Sequence, residues 1–144
     1  MEIVSELSLE VRYCETDQMG IVHHSNYIRY YECGRIRLMD EIGFPYTRLE
    51  AEGIMTAVVG VESHYHLPAK FGDTLKVVTK LTRVPLAKLV FYSEIYNQNG
   101  ELLNDGKVTL GFISADTRRP VRCPEDLLQI VEPLFNGKAE TDCQ

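Results

Sequence analysis

The sequence has few of the residues that mark metal-binding or disulfide-stabilised proteins. Its 144 residues include no tryptophan, four cysteines and four histidines. The cysteines are widely separated and form no CxxC pair, so neither a zinc-ribbon pattern nor a disulfide-dense secreted scaffold is indicated. We therefore expect reduced thiols and a cytoplasmic location.

Long apolar runs and several catalytic motifs are also missing. No apolar stretch approaches the roughly 20 residues that span a bilayer, and residues 1–6 lack the basic and apolar parts of a signal peptide. The chain contains no G-x-S-x-G, G-x-G-x-x-G or P-loop motif, which disfavours serine hydrolysis and nucleotide-cofactor chemistry. A net charge of -6 argues against nucleic acid or a membrane as the main partner.

An acidic residue lies between a predicted strand and a predicted long helix. Leu7–Tyr13 alternates apolar and polar residues, which predicts a half-buried strand ending just before Asp17. Gly20 permits a turn, and Ser25 or Asn26 is suited to cap the helix that follows. The start of a helix carries unpaired N–H groups that can polarise a carbonyl, so this arrangement favours ester or thioester chemistry. An Asp and a Gly at such a place are also common turn residues.

The same stretch carries a family resemblance. Its pattern is formed by Asp17, Gly20, Ile21, Val22, Asn26 and Tyr27. This pattern resembles the active-site motif of the hotdog-fold acyl-CoA thioesterases, in the 4-hydroxybenzoyl-CoA thioesterase-like family. The segment Leu67–Asp73 and the strand-rich second half are also similar to this family, so the resemblance covers most of the chain.

The predicted elements are consistent with an α+β fold. Apolar periodicity predicts a helix from about Tyr27 to Ile42 and a short helix after Pro124. Residues rich in Val, Thr, Ile and aromatics predict strands at Ile54–Leu67, Thr74–Val84, Lys88–Tyr96 and Leu102–Ala115. The resemblance implies a hotdog fold, an antiparallel sheet curled around one long central helix. We expect one domain over residues 1–136 and a polar tail over residues 137–144.

The resemblance implies an acyl-CoA thioesterase that releases a free carboxylic acid and CoA without a metal or cofactor. In the family, the position of Asp17 acts as nucleophile or general base, and the backbone amide at the position of His24 polarises the thioester carbonyl. His24 also matches a histidine of the small bacterial thioesterases, so its side chain is a second catalytic candidate. The expected substrate-binding residues are Gly20, Val22, Tyr27, Tyr31, Lys70 and Lys88. Lys70, Lys88, Arg118, Arg119 and Arg122 are candidates for contacts with the CoA phosphates.

The expected partners are an acyl-CoA or an acyl-carrier-protein thioester and further copies of the chain, as a homodimer or homotetramer. Two alternatives stay open, a non-catalytic acyl-CoA-binding hotdog protein and a hotdog enoyl-CoA hydratase or dehydratase. A metal site at His64 and His66 is a weaker possibility, because the pair has no positioned acidic partner in the sequence pattern.

Overall fold

The computed structural model describes the backbone of residues 2–143 and the side chains of residues 2–136. Five strands form most of the sheet: β1 Ile3–Glu10, β2 Ile54–Tyr65, β3 Thr74–Leu81, β4 Lys88–Tyr96 and β5 Leu102–Ser114. They are ordered β1-β3-β4-β5-β2 with every pair antiparallel, and the two-residue strand β6, Pro120–Val121, pairs with the end of β5. The helices are α1 Ser25–Glu41, α2 Tyr46–Ala51 and α3 Glu125–Cys143.

The expected α+β class and antiparallel sheet are confirmed. The four later long strands begin at the predicted residues, because each follows a turn that the sequence marks clearly. The predicted turn at Asn99 and Gly100 joins β4 to β5, with Gly100 at a φ of 79°. No helix of the described residues is long and apolar enough to cross a membrane.

The first strand differs from the prediction. Pairing with β3 begins at Ile3 and stops at Glu10, opposite Thr74, where β3 starts. A short 3-10 turn at Tyr13–Glu15 then carries the chain toward Asp17, so this aspartate does not directly follow a strand. The apolar alternation continues past the end of the ladder, because Val11 is still buried and its N–H donates to the carbonyl of Asp73 at 2.9 Å.

Other differences lie in the helices. The loop predicted at Gly43 and Pro45 leads into α2, which sequence reasoning missed because both residues are strong turn signals. The helix after Pro124 is α3, and its 19 residues make it longer than predicted. The side chains of the predicted tail 137–144 lie outside the described residues, so the domain boundary at residue 136 stays a prediction.

Helix α1 packs its apolar face against the sheet. Tyr31 and Leu38 on this face are fully buried. Gly34 lies against β3, where an added Cβ would overlap the Thr79 hydroxyl and lie 3.1 Å from Cγ1 of Val77. Side chains of β3, not its backbone, make this close approach. This packing holds the start of α1 at a defined position beside the sheet.

Candidate functional site

The loop between β1 and α1 forms a tight turn around Asp17. The Asp17 N–H donates to the Ile21 carbonyl at 2.8 Å, and the Gly20 N–H donates to the Asp17 carbonyl at 3.0 Å. Gly20 has a φ of 79°, a conformation that other residues rarely adopt. The Met19 N–H donates to Oδ1 of Asp17 at 2.8 Å, and no described residue donates to Oδ2. The turn therefore orients the carboxylate and leaves one oxygen available.

The Asp17 loop is attached to the segment before β3. The Val22 N–H donates to the Ala69 carbonyl at 2.8 Å, and Ile21 forms an isolated antiparallel bridge with Lys70. The Ala69 N–H donates in turn to the Tyr27 hydroxyl at 3.3 Å. The two segments that carry the family resemblance therefore contact each other directly.

Two neighbouring histidines occupy the start of α1. The helix begins at Ser25, its N-cap residue is His24, which makes no side-chain capping hydrogen bond, and the Ser25 N–H donates to Nδ1 of His23 at 3.3 Å. This corrects the expectation that Ser25 or Asn26 caps the helix; the Asn26 side chain donates to the Glu15 carbonyl instead, at 2.9 Å. The His24 N–H has no hydrogen-bond acceptor among the described residues. This N–H is therefore available to a bound group at the helix start.

A cavity of about 410 Å³ lies beside the loop and the start of α1. Four of the predicted site residues line it, Asp17, Val22, His24 and Tyr27. The rest of the lining consists of Met19 and Ile21 from the loop and of four residues at and after the end of β2, Tyr65, His66, Leu67 and Pro68. Sequence reasoning did not assign Tyr65 or His66 to the site, although the adjoining Leu67–Asp73 segment belongs to the resemblance.

Aromatic side chains form one wall of the cavity. The rings of Tyr27 and Tyr65 meet edge to face, with centroids 5.3 Å apart, and the Tyr65 hydroxyl donates to the His24 carbonyl at 3.2 Å. Burial raises the pKa of the Tyr27 phenol, so it stays neutral at physiological pH. The wall therefore combines an apolar surface with a few fixed polar atoms, as in many small-molecule sites.

Four predicted substrate-binding residues do not line this cavity. The Tyr31 hydroxyl is held inside the fold, where it donates to Oδ1 of Asn104 and contacts Oγ of Ser63 at 2.9 Å. Lys70 lines an adjacent cavity of about 350 Å³. Lys88 pairs with Gly111 near the far end of β5. Gly20 lies in the loop itself.

A larger depression, about 550 Å³, lies along the sheet away from Asp17. Charged and polar side chains line it, including the ion pair of Lys80 and Glu94 at 3.0 Å. Nothing in it resembles the predicted motif. Among the described residues no three His, Cys, Asp or Glu side chains cluster as metal ligands, and His66 contacts Asp105 at 3.1 Å instead.

Comparisons with known proteins bear on this site. A family model described as Thioesterase-like superfamily matches residues 11–131. YneP of Bacillus subtilis is 42% identical over 99 residues, 69% of this chain and 72% of that protein. The acyl-CoA thioester hydrolase YbgC of Escherichia coli is 28% identical over 120 residues, 83% of this chain and 90% of that protein.

The fold is also that of a solved thioesterase. The structure of a DHNA-CoA thioesterase from Staphylococcus aureus aligns with a TM-score of 0.88 and 29% identity, covering 96% of this chain and 95% of that one. The family match spans the Asp17 loop, α1 and the four long strands β2 to β5. The chain therefore belongs to the thioesterase-like superfamily, and its expected membership of the hotdog thioesterases is confirmed.

Proposed function

We propose that this protein hydrolyses an acyl-CoA thioester to a free carboxylic acid and CoA. The observation that carries the proposal is the single cavity shared by the Asp17 carboxylate, the start of α1 at His24 and an aromatic wall. The relatives named as acyl-CoA thioester hydrolases support the same reaction. Gly20, Val22 and Tyr27 shape the space that receives the substrate, and no cofactor or metal takes part.

The proposed electrophile site is the start of α1. The N–H of His24 and the partial positive charge of the helix terminus polarise the thioester carbonyl and stabilise the negative charge that develops on its oxygen. Removal of one donor of this kind costs on the order of 100-fold or more in kcat in other acyl-transfer enzymes. The exposed His24 ring is proposed to orient water or to donate a proton to the departing thiolate.

Asp17 is proposed to act on the carbonyl carbon, either as nucleophile or as general base for water. Label in the Asp17 carboxylate after a single turnover in oxygen-18 water identifies the nucleophilic route, because water has then attacked the aspartyl carbon of an acyl adduct. Label in the released acid alone is expected both from direct hydrolysis and from attack of water on the acyl carbon of an adduct, and detection of the adduct then distinguishes these two routes.

The proposed activity is tested by measuring thiol release from a panel of aliphatic and aromatic acyl-CoAs. Asp17→Asn keeps an oxygen that can accept from the Met19 N–H, so the turn is retained while the carboxylate is lost. We expect kcat to fall by at least about 100-fold. Asp40→Asn is the matched control, because Asp40 lies exposed on α1, and it should behave like the native chain.

The other outcomes separate the remaining candidates. Near-normal turnover by Asp17→Asn contradicts the assignment of this residue. Tight acyl-CoA binding without turnover by the native chain indicates a binding protein, and addition of water to an enoyl-CoA indicates a hydratase. Release only from acylated carrier protein identifies that carrier as the substrate.

We also propose that the protein is a homodimer or homotetramer in which β2 contributes to the contact. This strand lies at the edge of the sheet and exposes Val58, Val59 and Val61 by 53%, 56% and 41%. An unpaired apolar edge strand is a typical surface for pairing with another strand. If two copies of β2 pair antiparallel, the Ile54 end of one strand lies beside the Tyr65 end of the other.

This pairing gives Lys88 a role at the Asp17 cavity of the partner subunit, which it does not line within its own chain. Lys88 and Arg118 lie at the end of the sheet where β2 begins, as the pairing of Ile54 with Ser114 shows. Antiparallel pairing of two copies brings that end of one subunit toward the Asp17 cavity of the other. The cations are then proposed to contact the CoA phosphates, together with Lys70 beside the cavity. A cytoplasmic location, where acyl-CoA is made and used, remains our expectation.

A further inference from the structure

His66 and Asp105 form a pair at the edge of the Asp17 cavity. Nε2 of His66 lies 3.1 Å from Oδ2 of Asp105, and His66 lines the same 410 Å³ cavity as Asp17 and His24, whereas Asp105 lines the 550 Å³ depression on the sheet. His66 follows directly on β2, and Asp105 lies on the neighbouring strand β5. The sequence separation of 39 residues explains why no local motif reveals this pair.

The geometry of the pair selects one nitrogen of the ring. When Asp105 is ionised it can only accept, so Nε2 carries the hydrogen of the neutral ring and Nδ1 carries a lone pair. Nδ1 of His66 has no hydrogen-bond partner among the described residues. A carboxylate that fixes one ring nitrogen in this way prepares the other to accept a proton, as in catalytic triads.

The cavity has room for this chemistry. A water molecule occupies about 30 Å³ in the liquid, so a cavity of 410 Å³ holds several groups the size of water beside a short acyl chain. Asp17 and His66 come from different segments that both line this space, the loop before α1 and the end of β2. The cavity is therefore large enough to hold a water molecule together with a short acyl group.

We propose that His66, positioned by Asp105, is the general base for the water that hydrolyses an acyl adduct on Asp17. This rests on the proposed function and assigns Asp17 the nucleophilic role. Asp17 first bonds to the acyl carbon, the carbon–sulfur bond breaks and its electron pair stays on the thiolate. Water then bonds to the acyl carbon while one of its protons passes to Nδ1 of His66. The bond between the acyl carbon and the Asp17 oxygen breaks, its electron pair restores the carboxylate, and the ring returns the proton to solvent or to the thiolate.

The neighbouring groups are consistent with this division of roles. His24, at the start of α1, is the residue proposed above to act on the carbonyl and the leaving group, and its N–H has no acceptor among the described residues. His64 lies two residues before His66, opposite Asp105 in the register, and lines the depression on the sheet that Asp105 also lines. It therefore offers a histidine that is close to Asp105 but is not among the residues that line the Asp17 cavity.

The experiment compares the full-length native chain with His66→Gln, using the best acyl-CoA of the panel. We expect kcat to fall by about 100-fold, within the range that general base catalysis contributes. Because thiol release precedes the affected step, KM falls by the same factor and kcat/KM stays within about threefold of the native value. Rapid mixing shows a burst of one thiol per active site, and mass spectrometry of the stopped reaction shows the acyl group on Asp17.

Two further variants define the result. Asp105→Asn should reduce kcat less than His66→Gln and in the same pattern, because it removes the positioning carboxylate and leaves the ring. His64→Gln should leave kcat and KM unchanged. His66→Asn replaces His66→Gln if the latter does not give the circular dichroism spectrum and sedimentation of the native chain.

Three results would contradict the proposed role of His66. A kcat within threefold of native, a fall in kcat/KM that matches the fall in kcat, or a slow turnover without burst or adduct each overturns the role of His66. Those results leave the proposed hydrolysis intact. A native chain that releases thiol from no acyl-CoA or acylated carrier protein refutes the proposed function, and this inference with it.

Discussion

Replacement of Gly34 by alanine should destabilise the protein, although the same change stabilises most helices. In a helix interior alanine is favoured over glycine by about 1 kcal/mol. At Gly34 the added methyl group meets the hydroxyl of Thr79, which is fully buried, and Cγ1 of Val77 at 3.1 Å. Overpacking of this kind costs about 1–3 kcal/mol. We therefore expect Gly34→Ala to lower the free energy of unfolding by about 1–2 kcal/mol net of the helix gain.

A double-mutant cycle identifies the cause. The Thr79 hydroxyl has no hydrogen-bond partner among the described residues, so Thr79→Ala removes the overlapping atom without leaving a partner unsatisfied. In the Thr79→Ala background, Gly34→Ala should become neutral or stabilising, a coupling of about 1–2 kcal/mol between the two positions. Cys33→Ala, on the exposed side of the same helix, should change stability by less than about 0.5 kcal/mol.

The assay is urea unfolding followed by circular dichroism, at one fixed protomer concentration because assembly contributes to the apparent stability. The steric clash is refuted if Gly34→Ala is as stable as the native chain or more stable. It is also refuted if the two substitutions act additively, because then Thr79 is not what excludes the methyl group.

Two further predictions concern assembly and alkaline pH. Sedimentation should show a dimer or tetramer at micromolar concentration. Val59→Lys places a charge on the exposed edge of β2, so it should shift the protein toward monomer and lower its thioesterase activity. A monomeric native chain would contradict the proposed contact. Burial raises the pKa of Tyr31 to about 12, above its ordinary value of 10.0, so its contribution to stability is complete below pH 10 and is lost as pH rises toward 12. The urea midpoint of the native chain should fall as pH rises from 10 toward 12, and it should fall less in Tyr31→Phe. Tyr13→Phe, which changes an exposed ring, is the control. Equal falls in all three chains would exclude Tyr31 as a cause.

The sequence predicts the strands of the second half well because their boundaries are local. Gly72 and Asp73, Pro85, and Asn99 with Gly100 interrupt runs of β-forming residues, and the starts of β3, β4 and β5 follow these breaks. The end of β1 is less predictable, because it depends on where β3 begins 64 residues later. Helix α2 was missed because Gly43 and Pro45 are typical turn residues, and the same Pro45 also precedes the first residue of the helix.

The residues of the candidate site likewise divide into those that a local motif indicates and those that only the tertiary fold brings together. Asp17, Val22, His24 and Tyr27 lie within eleven residues of sequence, so a single motif indicates them together. Tyr65 and His66 join them only through the tertiary fold, which places the end of β2 beside the start of α1. Tyr31 has helical spacing from Tyr27, yet its hydroxyl is directed to Asn104 of β5 and not into the cavity.

By itself the sequence determined the α+β class, the position of the turn at Gly20 and the acidic residue beside the helix start. These depend on backbone preferences and on apolar periodicity, which act between residues close in the chain. Only the tertiary structure decided that Tyr65 and His66 join this motif at one cavity, because the end of β2 reaches the start of α1 only through the fold. It also decided that His66 meets Asp105, because their contact requires β2 and β5 to pair in one register, and that register is set by packing across the whole sheet.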